Sequence, residues 1–279
     1  MNREVGITEG VEFDDYQSVD AVTGGFLFTM LEQSPAHAVA EKAEPGISPA
    51  TATFGSAFHT SILEPDELEK RYVPKPEGMS FATTAGKLWR VQQTKEIIPE
   101  ADWDAVRGMR DAVYAHPLAG AIMRRPALKE VSVVWQEQTP YGTSIGSLPI
   151  WCKGRPDFIA EDVLVDLKST LDARPHAFNR QCDSLGYWLK MAHYQNGIEA
   201  AGHNRPREIF LIAAEKTKPH AVNVFIIPTE TLNAARCYRD AALYKYRECR
   251  DSGVWPAYDE SVYPITLSPW RISKIYEGS

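Results

Sequence analysis

Closely spaced cysteines are missing from this sequence. Cys152, Cys182, Cys237 and Cys249 stand far apart and no CxxC pair occurs. Metal sites usually show close ligand pairs, so the four are read as reduced thiols rather than a cluster or two disulfides. Long apolar runs are missing as well, and none approaches the ~20 residues that a membrane helix requires. The N-terminal MNREVGITEGVEFDD is acidic and lacks the apolar stretch of a signal peptide. These absences set the expectation of a cytoplasmic protein with no membrane attachment. A basic excess is also lacking, with 30 Lys and Arg against 37 Asp and Glu and a net charge of −7. That excludes a generally adhesive nucleic-acid binder, but not one that gathers its basic groups in a cleft. No GxxxxGK[ST] sequence is present, so the chain does not drive its own translocation with ATP. Internal repeats and low-complexity tracts are absent too.

What remains is ordinary for a globular protein, 44% hydrophobic and 24% charged, and long enough for a large core. Residues 1–20 read as a poorly ordered lead. Phe26–Glu41 has helical character with a break at Ser34–Pro35, and Pro45–Ala52 reads as a loop. A short helix is expected over Gly55–Leu63, then a mobile loop over Val73–Ala85, then helices over Lys87–Ile98 and Trp103–His116. From Glu130 the period becomes that of strands: EVSVVWQ alternates, TPYGTSIGS turns, and LPIWCKGRPDFIA and VLVDLKST are β runs. Helices resume over Arg174–Ala201, strands over Glu208–Ala214 and Val222–Ile227, and a long helix over Thr229–Asp251. No linker is evident. Residues 21–279 are therefore expected to form one α/β domain, a mixed central sheet flanked by helices with a helical N-terminal part.

The hairpin GRPDFIAEDVLVDLKST carries the chemistry. In a strand, residues i and i+2 share a face. Asp166 and Lys168 then point one way, while Val163, Val165 and Leu167 point into an apolar side. Asp157 ends the preceding run, and the turn after it returns the chain alongside, so two carboxylates and one ammonium converge at a sheet edge. Paired carboxylates are hard oxygen ligands suited to Mg²⁺. One or two such ions activate a water and stabilise the leaving oxygen of a phosphodiester, while a lysine stabilises phosphate charge or orients the water. The same residues also fit an exposed hairpin with a surface ion pair of little energetic value.

PD…DLK resembles the PD-(D/E)xK nuclease signature. GSAFHTSILEPDE (Gly55–Glu67), KEVSVVW (Lys129–Trp135), GRPD, DLKST, WPAY (Trp255–Tyr258) and LSPW (Leu267–Trp270) resemble, in that order, the RecE or exonuclease VIII nuclease family. The likeness runs over roughly residues 20–272. It implies a restriction-endonuclease-like, RecB-like core that digests linear double-stranded DNA 5′→3′ with Mg²⁺, for which Mn²⁺ would substitute. It also implies a 3′ single-stranded product, a single-strand annealing recombinase as partner, and a ring-like homotetramer. On matching positions Asp157 and Asp166 would be metal ligands and Lys168 the catalytic lysine. The Leu167 carbonyl would complete the metal shell, with His59 as the N-terminal active-site histidine and Glu130 as the acidic strand residue. One position departs from the family. A Gln-x-x-x-Tyr pair normally follows on the next helix, where i and i+4 share a face. Here YWLKMAHY puts Lys190 in place of the glutamine and Tyr194 at the tyrosine, and Gln181 is on the wrong spacing to replace it. Lys190 then contacts DNA phosphate, or it marks altered or lost activity.

Ser169 and Thr170 either bind phosphate or cap the next element. Arg236, Arg239, Arg247 and Arg250 fall near one helical face, but Asp240, Glu248 and Asp251 interleave, which favours a solvated, salt-bridged face over a DNA track. The seven tryptophans are too scattered for a stacking platform and read mostly as core. The leading expectation is a Mg²⁺-dependent exodeoxyribonuclease of phage-type recombination. Two alternatives stand beside it: a catalytically inactive DNA-end-binding or scaffold protein, suggested by Lys190 and the negative net charge, and an endonuclease or single-strand nuclease of the same superfamily.

Overall fold

The β runs of the middle of the chain pair into a mixed five-stranded sheet, with two smaller sheets beside it. The computed structural model describes residues 4–43, 49–137 and 148–277. In chain order, β1 (Gly6–Thr8) and α1 (Phe13–Ser18) precede α2 (Gly24–Glu32), α3 (Pro35–Ala43), α4 (Pro49–Leu63) and α5 (Pro65–Arg71). Next come β2 (Tyr72–Pro74), α6 (Thr84–Val91), β3 (Glu96–Ile98), α7 (Glu100–Ala115) and α8 (Pro117–Met123). The strands β4 (Leu128–Lys129), β5 (Ser132–Glu137), β6 (Ile150–Gly154), β7 (Phe158–Ala160) and β8 (Val163–Thr170) follow. Helices α9 (Pro175–Ser184) and α10 (Tyr187–Ala200), strands β9 (Glu208–Glu215) and β10 (Val222–Ile226), and helices α11 (Thr229–Ser252) and α12 (Pro269–Glu277) complete the chain.

The large sheet has the order β10-β9-β8-β7-β4, with β8 and β9 parallel and the other pairs antiparallel. Its central strand β8 is buried along most of its length. Val163, Val165 and Leu167 join Phe58, Ile62, Val106 and Met109 of α4 and α7 in one apolar layer. Leu164 faces the other way, into a layer with Phe178, Leu189, Leu211 and Leu232. Asp166 and Lys168 share that second face by the strand period. The expected mixed α/β architecture is the one found.

Several local expectations give way. Residues 4–20 are not a loose lead: β1 pairs with β5, and Tyr16 and Val19 are buried. The anchors lie far along the chain, which is why local reading misses them. Lys153 is 3% exposed and its ammonium donates to the carbonyls of Tyr16, Gln17 and Val19 at 2.9, 3.0 and 2.8 Å. Arg155 donates to Val11 O at 2.8 Å. The helix expected from Gly55 begins six residues sooner, at Pro49, so the Pro45–Ala52 loop reading fails over 49–52 and otherwise lies outside the described residues. The TPYGTSIGS turn also lies outside them.

The helix expected over Lys87–Ile98 starts at Thr84, where the Thr83 hydroxyl accepts from Gly86 N at 3.0 Å, and stops at Val91. Glu96–Ile98 instead forms a strand parallel to β2, with Ile98 fully buried. The loop expected over Val73–Ala85 is partly fixed by Phe81, which stacks on Trp89 and lies under Lys75 and Arg90. Of the seven tryptophans only Trp135 is fully buried, and Trp270 is exposed.

The long helix α11 corrects a further expectation, because Arg239 is not on a solvated face. It is 1% exposed, its Nη2 pairs with Glu137, and its Nε donates to His193 Nδ1 at 3.2 Å. The other ring nitrogen of His193, Nε2, lies 3.3 Å from Lys153 O, so the neutral tautomer protonated at Nε2 satisfies both contacts. Burial, then the Arg239 charge, hold His193 well below its ordinary value. A depressed histidine is neutral in the fold but takes up a proton when unfolded, so its contribution is complete above the unfolded value near ~6.5 and is lost as pH falls. The unfolding temperature is therefore expected to drop between pH 6.5 and 5, and His193→Asn, which keeps an acceptor and a donor, should flatten that slope. Parallel slopes in the two proteins would assign the acid sensitivity elsewhere.

Candidate active site

Three elements distant in sequence place the candidate ligands. α4 carries His59, the crossing from β4 to β5 carries Glu130, and the entry to β7 carries Asp157. Their donor atoms all lie within 4.8 Å of one another. His59 Nδ1 is 3.5 Å from Asp157 Oδ1 and 3.6 Å from Glu130 Oε1, and its Nε2 is 3.0 Å from the Leu167 carbonyl. Glu130 does not begin a strand as expected. It stands between β4 and β5 at φ 50°, a left-handed conformation rare for a side-chain-bearing residue. Its N–H donates to Asp157 O at 3.0 Å and Arg155 Nε donates to its carboxylate at 3.0 Å. Such outliers persist only where the surroundings fix them, and they gather at functional sites.

The electrostatics follow from crowding. Burial opposes the imidazolium of His59, yet Asp157 and Glu130 outweigh it and hold His59 above its ordinary value. Burial likewise pushes the Asp157 carboxyl up, against the pull of His59 and Lys168. For Glu130 burial is outweighed by His59 and Arg155, and the carboxyl lies below the ordinary range. His59 thus lies between two acidic side chains that favour its protonated form.

Asp166 stands apart from this trio. It is 4% exposed and its carboxylate accepts from Lys168 Nζ, which also approaches Leu167 O at 3.3 Å. Asp157 reaches the same strand through its Oδ2, which accepts from Leu167 N at 2.6 Å. Burial draws Lys168 down to about 8, with Lys190 adding to the shift and Asp157 opposing it.

Lys190 does lie near Lys168, and the two ammonium groups approach the ring of Tyr187 at 5.5 and 4.8 Å. Burial lowers Lys190 as well. Gln181, set aside on spacing, is tied in through the same tyrosine: its Nε2 donates to the Tyr187 hydroxyl at 3.3 Å and its Oε1 accepts from Thr170 Oγ1 at 2.7 Å. Thr170 is 3% exposed and its hydroxyl also accepts from Asp172 N, so it serves the turn rather than an open phosphate site. Ser169 is half-buried within β8. Tyr194 is half-buried near Asp157 and Glu130, whose charges add to burial in pushing its hydroxyl up. Gly154 allows this approach, since a Cβ there would fall 2.6 Å from the Tyr194 ring. Gly186 has φ 61°, and a Cβ would meet the Phe28 ring at 2.3 Å, so glycine is needed where α10 starts.

Sequence reading missed Arg155 and Tyr187. Arg155 had a signal, its position inside GRPD, whereas Tyr187 became visible only through its neighbours.

Residues 26–264 match a family described as a PDDEXK-like domain of unknown function (DUF3799). The chain belongs to that family. A crystal structure of a candidate exonuclease from Eubacterium rectale superposes on this PDDEXK-like chain with a TM-score of 0.59 at 13% identity, covering 95% of this chain and 99% of that one. The likeness establishes a common fold. A phage-related exonuclease from Haemophilus somnus aligns with a TM-score of 0.36 at 11% identity over 84% of this chain and 96% of its own. A search of the curated proteins gives no match. Among the described residues no helix is long and apolar enough to cross a membrane.

Proposed function

We propose that this PDDEXK-like chain is a Mg²⁺-dependent exodeoxyribonuclease that hydrolyses linear double-stranded DNA. The observation that carries the proposal is the meeting of His59, Glu130 and Asp157 within 4.8 Å, beside the Leu167 carbonyl and the Lys168 ammonium. Two carboxylates, an imidazole and a backbone carbonyl suit an oxygen-preferring divalent ion. Asp157, Asp166 and the Leu167 carbonyl would hold it, with Glu130 and His59 completing the set, and Mn²⁺ would substitute for Mg²⁺. When bound, such an ion supplies an activated water and stabilises the leaving oxygen of a phosphodiester. Lys168 stabilises the negative charge that develops on phosphate. Arg155 holds the Glu130 carboxylate beside His59 and Asp157.

Digestion 5′→3′ with a 3′ overhang, a single-strand annealing partner and a ring-like tetramer belong to the same proposal, supported by the ordered motif run from Gly55 to Trp270. The test uses linear duplex labelled at the 5′ ends, matched closed circles, and addition of Mg²⁺ or Mn²⁺. Loss of label with circles intact is the expected result. Cut circles would make the protein an endonuclease, and binding of ends without product would favour an inactive end-binding protein.

That second reading has one observation in its favour, the cation Lys190 where the RecE-like nucleases that the sequence resembles carry a neutral glutamine. Lys190→Gln separates the roles. Binding of a short duplex in EDTA should weaken several-fold, with its salt slope reduced by about 1 for one lost phosphate contact. An unchanged slope would leave Lys190 as a packing residue against Gly24 and Gly25.

A further inference from the structure

A cavity of about 800 Å³ opens between α10, α11 and the turn that leads into β8. The strand from Asp162 to Leu167 spans about 16 Å, which separates this cavity from the candidate metal ligands. Arg125, Arg205, Arg207 and Arg236 line it, against the two acids Glu161 and Asp162. That is a local excess of positive charge in a chain of net charge −7.

The acids do not match all four cations. Asp162 Oδ1 accepts from Arg125 Nη2 at 2.7 Å, and Arg205 Nη1 meets Glu199 at 2.8 Å. Arg236 and Arg205 instead converge on one neutral oxygen. Gln195, 3% exposed, accepts at Oε1 from Arg236 Nη2 at 2.6 Å and from Arg205 Nη2 at 3.3 Å. Burial, and then Arg205, draw Arg236 below the ordinary arginine value. Arg236 Nε is itself buried with no hydrogen-bond partner, while its Nη1 donates to Asn233 Oδ1 at 2.6 Å. The Arg207 guanidinium makes no hydrogen bond among the described residues. Thr229, at the same wall, begins the 24-residue α11, and its cap Pro228 offers no side-chain acceptor. The positive end of a long helix therefore adds to the field.

We infer that this cavity binds a phosphate group of a nucleotide or of a nucleic-acid strand, held by Arg207 and Arg236 with Arg205 beside them, at a site separate from the candidate metal ligands. Neither guanidinium hydrogen-bonds a carboxylate, although Arg207 feels the charge of Asp162 and Arg236 that of Glu199, and their planar forks fit phosphate oxygens. This site goes beyond the proposed nuclease activity and stands whether or not the chain cuts DNA.

The experiment is run in EDTA so that hydrolysis plays no part. Inorganic phosphate at tens of millimolar should raise the unfolding temperature above that in NaCl of equal ionic strength, by mass action on the folded state. Fluorescent dT12 should bind as measured by anisotropy. Arg207→Gln/Arg236→Gln should abolish the phosphate effect, weaken dT12 at least tenfold, or both, while the remote control Arg110→Gln leaves the phosphate effect in place. Loss of the phosphate effect identifies a free phosphate group as a sufficient ligand. Loss of dT12 binding alone identifies a strand. If neither measurement depends on the two arginines, the inference is overturned. Arg207→Gln alone, at an exposed position, serves if the double variant does not fold.

Discussion

Asp157→Asn is expected to lower the rate of 5′ label release by at least about a thousandfold, or about 4 kcal/mol of transition-state stabilisation. The asparagine retains an oxygen that can accept from Leu167 N, so the link from the β7 entry to β8 survives. What disappears is the charge that faces His59 and completes the two-carboxylate set. Burial already pushes the wild-type carboxyl up, which marks a charge held against its surroundings. Its neutral replacement should therefore melt no lower than wild type, separating lost chemistry from lost folding. Lys168→Met should show a comparable loss. Equal cleavage by Asp157→Asn and wild type in the labelled-duplex assay would remove this cluster from consideration as the active site.

Lys153→Met should destabilise the protein by about 3 kcal/mol, the cost of leaving buried polar groups without partners. All three ammonium donors are used, on Tyr16, Gln17 and Val19, and the charge lies 4.7 Å from the Tyr16 ring. Those carbonyls close the C-terminal end of α1, where Tyr16 O also accepts from Val19 N at 3.3 Å. Methionine fills similar volume but donates nothing. An unfolding midpoint lower by several degrees, with faster proteolysis before residue 20, is the expected result. A midpoint within a degree of wild type would mean that water replaces the ammonium and that β1, Arg155 and the buried Tyr16 and Val19 hold the N-terminal segment.

Legibility followed the range of the interactions. The DLK face pattern, the alternating strands and the long C-terminal helix depend on periods of two and 3.6 residues, so they could be read directly. The break at Ser34–Pro35 was visible because proline punctuates locally, and it appears as the boundary between α2 and α3. Residues 4–20 were misjudged because their partners, Lys153 and Arg155, lie more than a hundred residues away. Arg239 was misjudged for a similar reason: its neighbours on the helix are acidic, but its decisive partners are Glu137 on β5 and His193 on α10. Within the candidate site, resemblance pointed to His59 and Glu130, and the fold brings them to Asp157. The left-handed turn at Glu130 has no local signature, since glutamate is not a residue that invites it.

The burial of β8 on both faces bears on how this protein can fail. A shift by one residue would drive Asp166 and Lys168 into the layer now filled by Val165 and Leu167, and turn those apolar groups toward Tyr187 and Gln181. Neither layer could absorb the exchange. The strand is thus its own gauge: a misaligned copy of this chain would not linger as a sluggish enzyme but would be rejected as a fold, and every molecule that passes presents its charges in the same place.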